Sequence, residues 1–315
     1  MKRFSYVVAL IILCISLQSY AQTNNRTFNE TKRTQNYQFP DSLNKKGLYW
    51  VAGTHAGLYA GTWLYLNKIW YKDRPKVPFH FYNDVAGYNQ IDKFGHATTA
   101  YHESRISYYS FRSVGMPKNK ALLYGGAMGF MMQLPIEIAD GLNYGWGFSW
   151  GDIAANTFGS ALVIGQEYFF DEQVVTMKFS FWPSPYAKMA NGYLGSTPLE
   201  QLSDDYNGHT YWFSGNINRL TKQSVLPPWL NVAVGYSAGG MFGEFENKTE
   251  YNGVTIPETQ RYRQLLLSLD IDFAKIKTNS KFLKILFQGL NVVKVPFPAI
   301  ELNTKGEFKG HWLYY

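Results

Sequence analysis

Cysteine is nearly absent: the 315 residues contain one, Cys14, inside the leading apolar stretch. Beyond that stretch the chain has no thiol for a disulfide, a thiolate metal site or a cysteine nucleophile. Charge is also scarce, with Asp, Glu, Lys and Arg together at 17%. The basic residues are dispersed and form no run that would follow a phosphate backbone, which argues against a nucleic-acid partner. Mean hydropathy is −0.25, too low for an ordinary polytopic membrane protein. The apolar helical candidates are interrupted by His55, Gln133 and Asn156, so they are expected to pack on one another rather than to enter lipid.

Aromatic residues are plentiful, at 17%, and aromatics gather where proteins meet lipid headgroups. The N-terminus has Lys2 and Arg3, an apolar run from Val7 to Leu17, and Ser19-Tyr20-Ala21 before Gln22. That is the layout of a secretory signal peptide over residues 1–21. Cys14 follows Ile12 and Leu13, without the small residue that a lipidation site needs, and reads as an apolar filler. Formal net charge is +7, and a mature chain without Lys2 and Arg3 carries +5. A mildly basic envelope protein facing anionic lipid fits this balance.

Residues 22–46 are polar and aperiodic, a flexible lead-in. Residues 47–172 carry four helical candidates, at about 48–70, 90–114, 119–141 and 149–170. The first has Gly53, Gly57 and Gly61 in a repeated G-x-x-x-G, which permits close backbone approach. The third has Gly125 and Gly129 and a kink expected at Pro135. The fourth begins Ser149-Trp150-Gly151-Asp152, the pattern of a capping box, with Ser149 as N-cap and not as a hydrolase nucleophile. Residues 173–315 change period and read as β-rich, with a short amphipathic helix over 281–288. Five or so strands are too few for a closed outer-membrane barrel, whose minimum is about eight. The expected fold is α+β: a bundle of about four Gly-rich helices followed by an open or partial antiparallel sheet.

Within this apolar setting polar residues fall on helical stripes. Asp92, Lys93, His96, Thr99 and Glu103 lie along the second helix, Gln133, Glu137 and Asp140 along the third, and Asp152 and Asn156 along the fourth. Packed side by side, the three stripes can converge. A hydrogen-bonded network pinning the helices would satisfy them without any chemistry. Bland local roles are also open: Asp92 at a helix start, Asp140 at a helix end, Asp152 in the capping box. The same set, through Asp92, His96, Glu137 and Asp152, is able to bind a divalent metal such as Mg, Mn, Ca or Zn. His55 reads as a packed core histidine. Lys93 and Arg105 read as solvated charge in preference to lipid-phosphate ligands.

Asp92-Lys93-x-x-His96, Glu137-x-x-Asp140 and Gly147-Phe148-Ser149-Trp150-Gly151-Asp152 with Asn156 and Gly159 form an ordered set. It resembles the YfiM-like family of bacterial periplasmic or outer-membrane-associated proteins of unknown function. Phe79-His80-Phe81-Tyr82-Asn83-Asp84 looks like the extended form of larger Bacteroidota-type members, and a fainter likeness reaches the VanZ-like membrane proteins. The resemblance covers about residues 70–170. It implies an envelope location and a compact helical bundle, and assigns no reaction. The chain departs from lipoprotein members in lacking a lipidation cysteine, and has Asn156 where an acid stands elsewhere.

Two functions follow as expectations. One is a structural or binding role at the periplasmic side of the outer membrane, with membrane lipid or another envelope protein as partner. The other is a metal-assisted hydrolase or transferase acting on a lipid or cell-wall precursor.

Overall fold

The computed structural model describes residues 39–221 and 226–315. The signal peptide expected over 1–21, and residues 22–38 of the polar lead-in, lie outside the described residues. Helix α1 (Lys45–Tyr65) starts at Asn44, whose side chain accepts from the Gly47 N–H, and runs on through a π-helical turn, Leu66–Trp70. Helices α2 (Ile91–Ser113), α3 (Lys118–Tyr124), α4 (Met128–Gly141) and α5 (Trp150–Phe170) follow. The single third helix expected over 119–141 is therefore two helices. The break falls at Gly125-Gly126-Ala127 and not at Pro135, which stays inside α4. Gly125 explains the position: a Cβ there would meet the Tyr108 backbone at 2.6 Å, so the chain turns where it crosses α2.

Close helix packing comes from Gly129 and Gly159. A Cβ on Gly129 would strike the Ala100 carbonyl, and one on Gly159 the Ala97 carbonyl, both on α2. Ser104 and Ser160 bond to each other at 2.9 Å inside this contact and accept from the Gly129 and Phe130 N–H groups, which holds α2, α4 and α5 in register. The apolar core around them contains Ala97, Tyr101, Tyr108, Phe111, Val163 and Met177. The glycine stripe of α1 behaves otherwise. Gly53, Gly57 and Gly61 face open space, and α1 has no buried residue. His55 is the packed histidine expected, bonded to Val51 O and Ser107 Oγ at 2.7 Å and stacked on Phe111.

The strands are β1 (Val175–Phe181), β2 (His209–Gly215), β3 (Leu230–Gly239), the two-residue ladder β4 (Glu250–Tyr251) and β5 (Val254–Thr255), β6 (Tyr262–Ile271), β7 (Phe297–Asn303) and β8 (Phe308–Tyr314). Six of them form one antiparallel sheet in the order β1-β2-β3-β6-β7-β8. Short helices interrupt the β-rich half at Pro185–Met189, Pro198–Asp204 and Ile217–Thr221, and the expected amphipathic helix spans Lys281–Leu290. The sheet curls: Trp182 beyond β1 stacks on Tyr315 beyond β8, with ring centroids 4.3 Å apart. The outer edge of β1 is met by the chain at 292–294, where Phe179 N–H donates to Val292 O and Lys294 N–H to Phe179 O.

The two faces of this sheet differ in an unusual sense. The concave face buries Lys178, Ser214, Asn231, Ser268, Asp270, Glu301 and Asn303 around Trp212. Gly235 leaves the room that the Trp212 ring fills, 2.6 Å from where its Cβ would be. Lys178 Nζ pairs with Asp270 Oδ2 at 2.7 Å, both side chains fully buried. The convex face is apolar. Over β1 to β3 it takes α2 and α5, with Phe94 stacked on Tyr236 at 4.7 Å and Phe158 edge-on to Phe213. Over β6 and β7 it is bare: Leu265, Leu267, Leu269, Ile300 and Leu302 are 41–54% exposed.

Candidate functional site

The turn into α2 is built from Tyr88, Asn89 and Gln90, all left-handed, with φ of 44°, 51° and 66°. Non-glycine residues adopt this conformation only where surrounding contacts impose it. Here Tyr88 N–H donates to Glu244 O at 2.7 Å, Tyr236 Oη donates to Asn89 O at 2.6 Å, and Arg263 holds the Gln90 amide at 3.0 Å. The β-rich half thus fixes the first turn of α2, which carries Asp92 and Lys93.

Lys93 is the hub. Its Nζ lies 2.8 Å from Asp84 Oδ2, 3.0 Å from Asp92 Oδ2 and 2.7 Å from Asp152 Oδ1. One turn along α2, His96 stands between two carboxylates, with Nδ1 3.6 Å from Glu137 Oε1 and Nε2 3.6 Å from Asp152 Oδ1. Asn156 Oδ1 also approaches Nδ1, at 3.3 Å. Three helices therefore do bring Asp92, Lys93, His96, Glu137, Asp152 and Asn156 together. Asp140 lies on the margin, where Tyr71 Oη donates to its Oδ1 at 2.5 Å. Glu103 is apart, two turns deeper on α2, and accepts from the Gln133 amide at 2.9 Å.

Asp92 does stand in the first turn of α2 and Asp140 in the last turn of α4, as their local roles had it, but Asp92 is also drawn into the cluster through Lys93. Ser149 caps α5, with its Oγ accepting from Asp152 N–H at 3.1 Å, but the Asp152 carboxylate turns to Lys93 and so the box is one-sided. Lys93 is not solvated charge, because three carboxylates surround it. Arg105 is buried and donates to Gln288 at 3.0 Å. Gly147-Phe148-Ser149-Trp150-Gly151 spells G-x-S-x-G, so Ser149 does carry the flanking glycines of a nucleophile-elbow motif. The geometry is not that of a nucleophile: Ser149 is extended at φ −102°, is buried, and donates its hydroxyl to Asp84 Oδ1 at 2.5 Å.

Three members escaped sequence reasoning. Asp84 and Tyr71 lie in irregular chain between α1 and α2, where no helical spacing points to them. Tyr206, whose hydroxyl donates to Asp92 Oδ1 at 3.1 Å, comes from the β-rich half. The one signal for Asp84 was its place in the Phe79–Asp84 stretch beside aromatic residues.

Burial and charge set the protonation states. Burial, helped by Asp152 and Asp140 against the pull of His96, raises Glu137 to about 8. Burial raises Asp140 to about 7 and Glu103 to about 8, and it also raises Asp152. Burial works upward on Asp92 too, but His96, Lys93 and the Tyr206 hydroxyl outweigh it and hold this carboxyl below its ordinary value. Burial pulls His96 down, yet Asp92, Asp152 and Glu137 overcome it and hold the ring above the usual histidine value. Neither Glu137 oxygen meets a well-aligned hydrogen-bond donor, the Ser149 backbone lying close only in loose geometry. The cluster is not sealed: Asp92 and His96 side chains keep 25% and 17% of their surface.

An aromatic ledge borders the cluster. Phe81 stacks on Trp150 at 6.1 Å, and Phe79 and Phe148 complete it. Phe81 and Trp150 are both more than half exposed.

Residues 81–166, about a quarter of the chain, match the family model DUF2279, described as a predicted periplasmic lipoprotein. The matched span contains Asp84, Asp92, Lys93, His96, Glu103, Glu137, Asp140, Ser149, Asp152 and Asn156, whereas Tyr71 and Tyr206 lie outside it. The match supports a periplasmic, cell-envelope location and a family of unknown function, without naming the YfiM-like or VanZ-like families. Comparisons with curated proteins and with solved structures give no match.

Proposed function

We propose that this envelope protein rests on a lipid surface through the bare convex face of its sheet, with the Lys93 cluster bracing the helices behind it. The observation that carries the reading is the inverted polarity of β6 and β7. Leu265, Leu267, Leu269, Ile300 and Leu302 face outward, while Ser268, Asp270, Glu301 and Asn303 of the same strands are buried. A half-buried sheet in water normally turns the other way, and polar-in with apolar-out is the sense found where strands meet lipid. The bare area continues the apolar face that α2 and α5 already cover. The helix Lys281–Leu290 adds Phe282, Leu286 and Leu290, exposed at spacings of four, and the stretch 275–284 holds four lysines and no acid, with Lys275 paired to Glu172. Such a helix lies in an interface and favours anionic headgroups. Among the described residues no helix is long and apolar enough to cross a membrane, so contact would be made by faces.

Flotation with vesicles of phosphatidylethanolamine and phosphatidylglycerol tests this. Wild-type protein is expected to float with the lipid, and the pair Leu267→Asp and Ile300→Asp to stay at the bottom with an unchanged circular dichroism spectrum. Wild-type protein remaining at the bottom would sink the reading.

A second reading, a metal-assisted hydrolase or transferase acting on a lipid or cell-wall precursor, is favoured by a different observation: ligand atoms of Asp92, His96 and Asp152 lie within 4.8 Å of one another.

A further inference from the structure

His96 is presented in the way that metal-binding histidines are. Its two ring nitrogens face different surroundings. Nδ1 looks back into the protein, towards Glu137 Oε1 at 3.6 Å and Asn156 Oδ1 at 3.3 Å. Nε2 looks towards Asp152 Oδ1 at 3.6 Å, and Asp92 stands one helical turn before His96 with a ligand atom within 4.8 Å of the ring. In metal centres the nitrogen remote from the ion commonly donates to a carboxylate or carbonyl, which fixes the tautomer and the ring orientation. Glu137 and Asn156 supply such acceptors. Glu137 is 1% exposed, and its oxygens have no well-aligned donor of their own, so its carboxyl group has acceptor capacity that an Nδ1–H would fill.

We infer that Asp92, His96 Nε2 and Asp152 form a binding site for one divalent transition cation, of the zinc or manganese type, with Glu137 as the carboxylate behind the histidine. One imidazole and two carboxylates suit these borderline to hard ions. Such an ion holds each ligand at ~2.0–2.2 Å, so neighbouring ligand atoms sit ~3 Å apart. From a present span of 4.8 Å the side chains must draw in by about 2 Å at most. Side-chain rotation at the partly open Asp92 supplies that movement. Three protein ligands leave coordination positions over, and the remaining exposure of Asp92 and His96 puts them on the accessible side, the arrangement of a site that takes a further ligand.

Lys93 shapes the affinity. Its ammonium already sits on Asp92 Oδ2 and Asp152 Oδ1, so ion and ammonium share two carboxylates. The arrangement predicts a modest affinity in the wild-type chain and a tighter site when the ammonium is removed. Asp84 holds the same ammonium at 2.8 Å and is not one of the three proposed ligands.

The test is a binding measurement on the full mature chain, stripped with chelator and dialysed, using Mn²⁺ followed by electron paramagnetic resonance and Zn²⁺ by equilibrium dialysis. The expected result is one ion per chain. Asp152→Asn and His96→Ala lower the affinity at least tenfold, Glu137→Gln keeps the stoichiometry but weakens binding by about 10–100-fold, and Lys93→Met strengthens it. Should His96→Ala not fold, the near-isosteric Asp152→Asn and Glu137→Gln decide. Wild-type protein that binds neither ion at millimolar concentration overturns the site. So does binding of equal strength in wild type, Asp152→Asn and Glu137→Gln. The site underlies the hydrolase reading and is independent of lipid docking, so a failed flotation experiment leaves it standing. A bound ion without turnover would refute the hydrolase and keep the site.

Discussion

Lys93 on α2 and Asp152 on α5 meet at 2.7 Å, both side chains at least seven-eighths buried. This contact ties the first turn of one helix to the first turn of another. Asp84 extends the tie to the chain between α1 and α2, and Tyr206 bonds to Asp92 from the sheet half. Three carboxylates, from the chain before α2, from α2 itself and from α5, thus converge on one ammonium, and the sheet half reaches it through Asp92.

Removing that ammonium is expected to destabilise the fold strongly. Lys93→Met leaves Asp84, Asp92 and Asp152 facing each other without compensation, and breaking one partner out of a buried ionic cluster costs about 3–5 kcal/mol. Because the loss comes from repulsion between carboxylates, a second substitution, Asp84→Asn, should return part of it. Urea unfolding of the single and double variants measures both effects. If Lys93→Met changes the midpoint no more than an ordinary surface substitution does, the cluster is not a brace.

Stability should fall as pH rises from 6.5 to 8. Glu137 and Glu103 have folded values raised to about 8, and Asp140 to about 7, and His96 is raised as well. A raised group binds its proton more tightly in the folded state, so its contribution is complete below the unfolded value and is lost as pH rises through the folded one. Below 6.5 the buried His102 and His209, lowered to about 3 and about 4 by burial, act in the opposite sense and mask part of the trend. Above 6.5 the unfolded histidines lose their protons and this opposing contribution fades, so the raised groups of the helical layer outweigh it. Unfolding at pH 6.5, 7.2 and 8.0 should show the decline, and Glu137→Gln should flatten it. A stability that rises over this interval would contradict these assignments.

How much of this was legible in the chain depends on periodicity. Asp92 and His96, Glu137 and Asp140, and Asp152 and Asn156 repeat at helical spacings in apolar surroundings, so their convergence could be read from the sequence. Asp84, Tyr71 and Tyr206 sit in irregular chain or in the other half of the molecule, where spacing predicts nothing. Strands with alternating residues, such as Leu265 to Ile271, were visible as strands. Which of their faces turns inward was not, because alternation reads the same in either sense. β2 was missed: His209-Thr210-Tyr211-Trp212-Phe213-Ser214-Gly215 has a run of aromatics with no clear alternation, since one side meets α2 and the other the buried Trp212 environment. The glycines of α1 misled for a related reason. G-x-x-x-G permits close approach without supplying the helix that approaches.

The two sets of glycines should therefore respond oppositely to alanine. At Gly57, in open space on α1, a methyl group meets nothing, and Gly57→Ala is expected to stabilise by about 0.5–1 kcal/mol through the unfolded chain and helix propensity. At Gly159 the same methyl meets the Ala97 carbonyl and the Tyr101 N–H, and forcing α5 away from α2 costs about 1–3 kcal/mol. Thermal melts of the two variants side by side are enough. A stabilising Gly159→Ala would mean that the two helices are not in backbone contact.

The polar interior of the sheet makes a last prediction, one that separates specificity from stability. Lys178 and Asp270 pair at 2.7 Å with no solvent access, and Asp270 also accepts from Ser214 Oγ at 2.6 Å. Two desolvated charges recover only part of their hydration through mutual attraction, whereas a single one left behind recovers none. Asp270→Leu alone is thus expected to lose about 3–5 kcal/mol, because Lys178 remains buried beside Trp212 and near Lys294. Lys178→Met together with Asp270→Leu should lose less than Asp270→Leu alone, since Lys178 is no longer left unpaired, though buried Lys294 still loses the charge of Asp270 and Ser214 keeps a hydroxyl in need of a partner. A double-mutant cycle by urea unfolding isolates the coupling. Additive losses would mean that each charge finds compensation elsewhere in the curl of the sheet, and that the pair does not organise its interior.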